Sequence, residues 1–359
     1  MPITTYNNYR EPNYLKVKMK NYFDTIIVGA GPAGLAAATV LSKNGQKVAI
    51  FEKNKIIGPK VCAGGLTMRD FEIGVDRKII EYKFNEMTLS TPLNRSFIRA
   101  NYPYVATTTR EELGQVLLRK AELNGVSIFV SKEIVNINKN SIQTIDEEYG
   151  FRNLIGADGS ASMVRKHLGL KSKKVLVAFH YKVPTHYNKM ELIFDAKLFG
   201  SGYAWIFPHK DFSSIGACVD PRFGLDAAKI QKNFAKWAQK RSIKLDSKDY
   251  QAWLINYDYQ GYQFNNIFLA GDAAGFASGM TGEGISFALI TGREIAKKIL
   301  DPSYKTPEID EVLLTKARQE KVLAKLQKNL FQTQLIYTFG GLLFKTHLFD
   351  RKLIKLFGG

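Results

Sequence analysis

Short β-branched and aliphatic runs alternate with longer stretches of helical periodicity along the chain, which predicts strands interleaved with helices. The run Phe23-Asp24-Thr25-Ile26-Ile27-Val28 predicts a buried strand, Leu35–Leu41 an Ala-rich helix, and Gln46–Phe51 a second strand. Two more strand-to-helix passages are expected. One runs from Leu154-Ile155 through Asp158-Gly159 to a serine and Arg165 at helical spacing. The other runs from Asn266–Leu269 through Gly271-Asp272 to Gly282-Glu283-Gly284-Ile285, which opens a long helix. Lys83–Val105 and Val175–Ala217 hold short alternating runs, the mark of an antiparallel sheet. Ala228–Arg241 predicts a helix. Towards the end, Val322, Leu323, Leu326 and Leu330 recur at helical spacing beside Lys321, Lys325 and Lys328.

The first passage carries chemistry. Gly29-Ala30-Gly31-Pro32-Ala33-Gly34 stands between strand and helix, and the second strand ends in Glu52. In such a GxGxxG turn Gly29 permits the sharp bend, Gly31 lets the backbone approach a pyrophosphate, and Gly34 lets helix and strand pack closely. The helix N-terminus offers free N–H groups and the positive end of its dipole. Glu52 can accept hydrogen bonds from ribose hydroxyls and repels a 2′-phosphate, so the site suits FAD or NAD rather than NADP. Asp158 and Asp272, each just past a predicted strand, can accept from sugar or ribitol hydroxyls. No second GxGxxG follows, which argues against a two-dinucleotide architecture.

Composition narrows the classes. With 359 residues, 45% hydrophobic and 23% charged, the chain is neither collagen-like nor wholly disordered. Cys62 and Cys218 are the only cysteines, so a disulfide framework is excluded and a reducing, intracellular setting is expected. The 51 Lys+Arg against 33 Asp+Glu leave a net charge of +18, which points to an anionic partner or simply reflects a Lys- and Asn-rich composition. There is no zinc-finger spacing, RNP-type motif or dense basic run, so neither a metal nor nucleic acid is expected. Residues 1–22 are polar and lack the apolar core of a signal peptide, and they are expected to form a tail. Asn329–Phe344, interrupted by Gln and Thr, falls short of the ~20 apolar residues of a spanning helix.

Three further segments accompany these motifs: Lys60-Val61-Cys62-Ala63-Gly64-Gly65, Gly202-Tyr203-Ala204-Trp205-Ile206-Phe207-Pro208, and Thr281-Gly282-Glu283-Gly284-Ile285 after Gly271-Asp272-Ala273-Ala274. Together they resemble the geranylgeranyl reductase family, a branch of the single-Rossmann flavoproteins related to p-hydroxybenzoate hydroxylase. The resemblance implies FAD, with contacts at Ala33, Glu52, Cys62, Ala63, Gly65, Arg110, Ile134, Asp272, Gly284 and Ile285. It implies saturation of isoprenoid C=C bonds in a prenyl lipid by hydride from reduced flavin N5, with NADPH or a reduced electron carrier as donor. The fold class it implies is α/β, a Rossmann-type FAD-binding domain with an inserted antiparallel β-sheet substrate domain and a C-terminal helical appendage. The expected division is an N-terminal tail (1–22), the FAD-binding domain (23–82 with 106–174 and 262–300), the substrate domain (83–105 with 175–261) and the helical region (301–359). Many relatives carry Pro where Gly279 stands, a departure expected to loosen the loop before Thr281. Gly275 and Ser286 occupy positions where hydroxylases often carry His and Asn, which favours the reductase branch.

Saturating an isolated olefin needs a hydride on one carbon and a proton on the other. Cys62 is either a proton donor near the flavin or a small packed side chain. Tyr203, Trp205 and Phe207 alternate along one predicted strand and so share a face, either lining a prenyl pocket or filling a core. Cys218 is expected to be structural, and none of the five histidines is assigned a role. Phe344, Leu348, Phe349, Leu353, Ile354, Leu356 and Phe357, set between Lys and Arg, suit either a bilayer surface or packing against the protein. The protein is therefore expected to be a cytoplasmic monomer, with peripheral membrane contact as one reading of its C-terminal region. Two rival functions stand. One is a flavin-dependent halogenase or monooxygenase, whose Gly-Trp-x-Trp-x-Ile-Pro pattern is approached at Gly202–Pro208, but with Tyr for the first Trp and only Lys60 or Lys78 for the required lysine. The other is a non-catalytic prenyl-binding flavoprotein-like protein, against which the intact Gly-Asp segment and Glu52 argue.

Overall fold

Ile26 and Ile27 are both fully buried, on opposite faces of the strand Tyr22–Val28, so that strand belongs inside a sheet covered on both sides. It lies between Val48–Phe51 and Glu148–Gly156 and runs parallel to both. The register sets Val28 against Phe51 on one side and Gly156 on the other, so the three strands end along one edge. Ser127–Phe129 and Ile267–Leu269 extend the sheet outward in parallel. The turns Gly29–Gly34, Ala157–Ser162 and Ala270–Ala274 all leave that same carboxyl edge, where open parallel sheets hold their ligands. The computed structural model describes residues 21–223 and 225–344. Asn21 and Tyr22 were expected in the tail but join this sheet, Tyr22 pairing with Gly150. Residues 1–20 and 345–359, with Leu348, Phe349, Leu353, Ile354, Leu356 and Phe357, lie outside the described residues.

The second sheet runs in the order Tyr250–Asn256, Val175–Val183, Ser213–Val219, Tyr203–Pro208, Met190–Ile193, Glu86–Ser90, Arg95–Arg99. The expectation of an antiparallel sheet needs one correction, because Met190–Ile193 pairs in parallel with Glu86–Ser90. Alternation along a strand reports which face is buried, not the direction of its neighbour, so the sequence pattern is silent on this. A second correction concerns Lys83–Val105. Its two ends, Tyr82–Phe84 and Val105–Thr107, join Gly65–Thr67 in a separate three-stranded sheet. The helix Ala227–Lys240 covers the second sheet with Ile230, Phe234 and Trp237, the i, i+4, i+7 face of its pattern.

Two helices follow the long helix Ile285–Leu300. Pro307–Leu326 is fastened by Lys316, whose buried Nζ donates to the carbonyls of Tyr257 (3.0 Å) and Ala277 (2.9 Å), and by Gln319, which accepts from Ser278 Oγ at 2.7 Å. Leu330–Phe344 lies beyond it. The loop at Gly279 is tied rather than loosened. Ser278 Oγ accepts from the N–H groups of Met280 (3.2 Å) and Thr281 (3.0 Å), and its carbonyl accepts from Gly282 N at 3.0 Å. Gly279 is there for space: a Cβ would fall 2.6 Å from the ring of Tyr257.

Arg165 joins the strand-end turns. Its buried guanidinium donates to the carbonyls of Ala273 (3.2 Å) and Asp258 (2.8 Å) and lies 4.0 Å from the Asp258 carboxylate. Arg165→Met should lower unfolding free energy by about 3 kcal/mol in urea titrations, because it takes the donor from two buried carbonyls and the positive charge from beside the Asp258 carboxylate. The same change at exposed Arg152 should shift it by no more than about 0.5 kcal/mol.

Candidate active site

The carboxyl edge of the first sheet and one face of the second enclose a cleft of about 1660 Å³, its mouth included. Gly31, Ala33, Cys62, Ala63, Gly65, Arg110, Asp272, Gly284 and Ile285 line it, together with Tyr203, Trp205 and Phe207. Gly29, Gly34, Glu52, Ile134 and Asp158 do not. They sit behind it: Ile134 is buried at the head of the strand Ile134–Ile137, and the others shape or cap turns.

The dinucleotide end is built by close backbone contact. Gly29 has φ +98°, and a Cβ there would lie 2.6 Å from the Ala157 carbonyl oxygen, so only glycine lets the two turns meet. Two helices begin at the cleft without a side-chain cap. Pro32–Lys43 starts behind Gly31 with Pro at its first position, and Ile285–Leu300 starts behind Gly284. Their first N–H groups and dipole ends thus remain available to an anion or a polar ring edge. Glu52 Oε2 accepts from Ala30 N at 2.9 Å and Oε1 from Asn54 N at 2.9 Å, which orients the carboxylate at the same turn. Arg110 opens the helix Arg110–Glu122 behind the cap Thr109, whose Oγ1 accepts from Glu112 N at 3.1 Å. Its NH1 is buried in the cleft wall and has no partner within the protein. A buried guanidinium with an unfilled donor, in the same cleft as two uncapped helix starts, fits the pyrophosphate of a dinucleotide.

The two aspartates predicted for the cofactor divide their work. Asp272 lines the cleft, where its Oδ2 meets Lys60 Nζ at 3.4 Å and Ser160 Oγ at 3.2 Å. Its Oδ1 stands 3.2 Å from the position a Cβ of Gly284 would take, beside the start of the long helix. Asp158 turns inward, accepting from Met163 N at 2.6 Å and Val164 N at 3.4 Å, so it caps the helix Met163–His167. Its other oxygen is buried without a partner, and burial holds its carboxyl above the usual range. Asp272→Ala should weaken FAD binding by roughly 1–3 kcal/mol, while Asp158→Ala should cost about 1 kcal/mol of stability and little affinity. Fluorescence titration with FAD and urea unfolding separate the two.

The substrate side is aromatic and apolar. Tyr203, Trp205 and Phe207 do share one face, with ring centroids 6.2 and 6.3 Å apart. Trp205 Nε1 donates to Ser214 Oγ at 3.0 Å, and the Tyr203 hydroxyl donates to the Thr281 carbonyl. The stripe is thus cleft wall and core at once: its rings line the cleft, and Ser214, which holds Trp205, is fully buried. Phe207 lies so close to Gly65 that a Cβ there would be 2.8 Å from its ring.

The cleft holds several proton carriers. Cys62 is partly exposed, and its Sγ accepts from Gly64 N at 3.4 Å. Cys218 lines the opposite wall, and burial pushes its thiol up to about 12. His180 is buried between Ser214 Oγ (2.7 Å) and Gln251 Oε1 (3.1 Å), and desolvation holds it down near 4, so it is neutral at pH 7. Asp70 was missed. It is 2% exposed, its Oδ1 has no partner, and burial followed by the charge of Glu283 raises its carboxyl to about 7. Glu283, also in the wall, is raised by burial and accepts from Ser286 Oγ at 2.5 Å. The visible signal was local: Thr67-x-x-Asp70 is a capping box, with Asp70 Oδ2 accepting from Thr67 N at 2.7 Å. His209, likewise unassigned, holds the Cys62 loop by hydrogen bonding from Nε2 to the Ala63 carbonyl at 2.9 Å, with Nδ1 2.5 Å from Glu81 Oε2. Among the described residues no group of His, Cys, Asp and Glu could hold a metal ion.

Comparison with known proteins bears on the fold and the family. Residues 22–192 match the model of an FAD binding domain. An uncharacterised protein of Methanosarcina barkeri is 30% identical over 89% of this chain and 85% of its own. Digeranylgeranylglycerophospholipid reductase 3 of Methanosphaera stadtmanae is 29% identical over 80% of this chain and 81% of its own. Among solved structures, a geranylgeranyl bacteriochlorophyll reductase-like protein from Thermoplasma acidophilum shares the fold at TM-score 0.69 and 19% identity, covering 94% of this chain and 92% of that one. A flavin-dependent brominase shares it at TM-score 0.68 and 17% identity, covering 94% of each. Fold and site define an FAD-dependent oxidoreductase. The chain belongs to the geranylgeranyl reductase family.

The Asp70 carboxyl binds its proton more tightly in the folded chain than in the unfolded one, so its contribution to stability is present below pH 3.8 and lost as the pH rises to about 7. Asp70→Asn keeps the acceptor of the capping box and removes the ionisation. The stability of the variant relative to the parent should therefore rise between pH 4 and 7 and level off above, as read from urea midpoints of the FAD-free proteins.

Proposed function

We propose that this protein is a reductase that saturates C=C bonds of a geranylgeranyl-type chain in a prenyl lipid. The observation that carries the reading is the continuity of one cleft, whose dinucleotide end opens into a chamber walled by Met87, Met190, Leu192, Trp205, Phe207 and Ile255. Apolar and aromatic walls of that kind suit a long hydrocarbon chain and give a polar substrate few partners. The names of the relatives, reductases of digeranylgeranylglycerophospholipid and of geranylgeranyl diphosphate, support the same class.

FAD, when bound and reduced, supplies the hydride. Arg110 and the two uncapped helix starts hold its phosphates and polar edge, and Asp272 takes a ribitol hydroxyl. The aromatic stripe orients the olefin, and the chamber keeps water from it. Two groups stand ready for the second carbon, Cys62 and Asp70. Asp70 is the better donor at neutral pH, because its proton is held to about pH 7 and its Oδ1 has no other partner. Glu283 keeps it there by its negative charge. The halogenase reading is weakened by its lysines: Lys78 is exposed outside the cleft, and Lys60 is engaged by Asp272. A non-catalytic binder has no use for a proton held beside the cofactor.

Heat-released cofactor should be FAD. Anaerobically reduced protein should add two hydrogens per double bond to a geranylgeranyl lipid, detected by mass spectrometry, and aerobic protein with bromide should halogenate nothing. Halogenated product without lipid reduction would overturn the reading. Turnover should fall as the pH rises through about 7, and Asp70→Asn should lower it more than tenfold and flatten that profile; Cys62→Ala should keep the profile. Trp205→Ala should lower kcat/KM about tenfold with the flavin spectrum intact, since the ring supplies area and position to the chain. Loss of flavin from that variant would make the stripe core.

A further inference from the structure

The helix Leu330–Phe344 is inside out. It contains no Asp, Glu, Lys or Arg. Phe331 (74% exposed), Leu335 (41%), Phe339 (61%) and Leu342 (46%) follow one another at i, i+4, i+8 and i+11, so they form a single stripe facing outward. Two of its polar side chains, Gln334 and Thr333, face the protein. Gln334 Oε1 accepts from Ala196 N at 2.9 Å, buried Thr333 donates to the Asn329 carbonyl at 2.8 Å, and the Thr338 carbonyl accepts from Asn94 Nδ2 at 3.1 Å. Water is the wrong neighbour for such a face, because two exposed phenylalanines in one apolar row mark an interaction surface.

The stripe also leads somewhere. From the inner side of the same helix, Tyr337 meets Phe194 at a ring-centroid distance of 5.2 Å, and Phe194 meets Tyr203 at 5.8 Å. Tyr203 begins the aromatic wall of the cleft, followed by Trp205 and Phe207. A continuous row of rings therefore joins the exposed helix to the chamber.

We propose that this helix is a lipid-docking face: it lies in the interfacial layer of an anionic bilayer, with Phe331, Leu335, Phe339 and Leu342 at the acyl boundary, and its root is where a prenyl chain leaves the membrane for the cleft. Charge selects this occupant. Exposed Lys328 stands three residues before Phe331, and Lys321 and Lys325 are exposed on the preceding helix, within a chain of net charge +18. Anionic head groups complement them. A second copy of the chain would bring like charge against like charge around the same stripe, which disfavours a dimer there. No described helix is long and apolar enough to cross a membrane, so the contact is on the surface. The docking face stands on the inverted helix and its lysines alone; only the path into the cleft rests on the prenyl-lipid reading.

The test uses the full-length protein and vesicles of phosphatidylcholine with one-third phosphatidylglycerol, sedimented at low salt. The parent should pellet with them, and pellet far less with pure phosphatidylcholine or in 1 M salt. The double variant Phe331→Ser/Phe339→Ser, at positions too exposed to carry the fold, should lose at least tenfold in partitioning while keeping its bound FAD. Lys321→Gln/Lys325→Gln/Lys328→Gln should lose binding to anionic vesicles only. The serine variant should also lose at least tenfold in turnover of vesicle-borne geranylgeranyl lipid and little on a detergent-dispersed short prenyl substrate. Unchanged vesicle binding in both variants would overturn the proposal, as would a parent dimer, seen by sedimentation velocity, that the serine variant dissociates. Vesicle binding lost in the variant while the parent reduces no prenyl substrate would leave the docking face standing and overturn the prenyl-lipid reading instead.

Discussion

The site depends on one close approach, that of Gly29 to the Ala157–Asp158 peptide. Parallel pairing brings the ends of the first and second strand-to-helix passages side by side, and a side chain at Gly29 would drive them apart. With the two turns in contact, Asp158 can cap its short helix and Ser160 can reach Asp272. Arg165 then spans to Ala273 and Asp258, so three segments far apart in the chain become one rigid rim. Asp272 stands on that rim, and Gly31 and Gly284 stand at the starts of the two uncapped helices. The polar networks are buried, and buried networks favour one arrangement over many because partial pairing is costly.

The rim leaves the chemistry to the opposite wall. There the second sheet presents rings and aliphatic side chains, and the loop Lys60–Gly65 is held over them by Phe207 and His209. Asp70 and Glu283 come from different elements, yet each finishes a turn that frames the cleft. Burial raises the proton affinity of both carboxyls, and the charge of Glu283 raises that of Asp70 further. A single set of residues thus supplies both stability and acidity, which is why the ionisation of Asp70 carries a stability cost at neutral pH.

Pro307–Leu326 fixes the loop before Thr281 through Lys316 and Gln319, and so steadies the start of the long helix at the cofactor. Leu330–Phe344 is placed by polar contacts on its inner face, which frees its apolar side chains for the outside. Cofactor site, chamber and outer helix therefore form a continuous series along one side of the second sheet.

Much of this was legible along the chain. The βαβ unit, the Asp-Gly and Gly-Asp turns, the helix at Arg110 and the aromatic stripe are local patterns, set by backbone geometry and by the period of two or three and a half residues that burial imposes. The glycine spacing indicated a dinucleotide, because a phosphate cradle requires it, and the resemblance of the further motifs to the geranylgeranyl reductase family indicated FAD. What the sequence did not carry was set by contacts between distant segments. The parallel pair Met190–Ile193 with Glu86–Ser90 follows from two insertions meeting, and no single strand encodes its partner's direction. Gly279 looked like a flexible joint until the ring of Tyr257 showed it to be a packing necessity. Asp70 looked like an ordinary cap, because its raised proton affinity arises from surroundings that only folding assembles. The helix after Leu330 read as an apolar stretch with polar interruptions. Only the tertiary structure decided that Gln334 and Thr333 face inward, where the Ala196 N–H and the carbonyl of Asn329 give them partners.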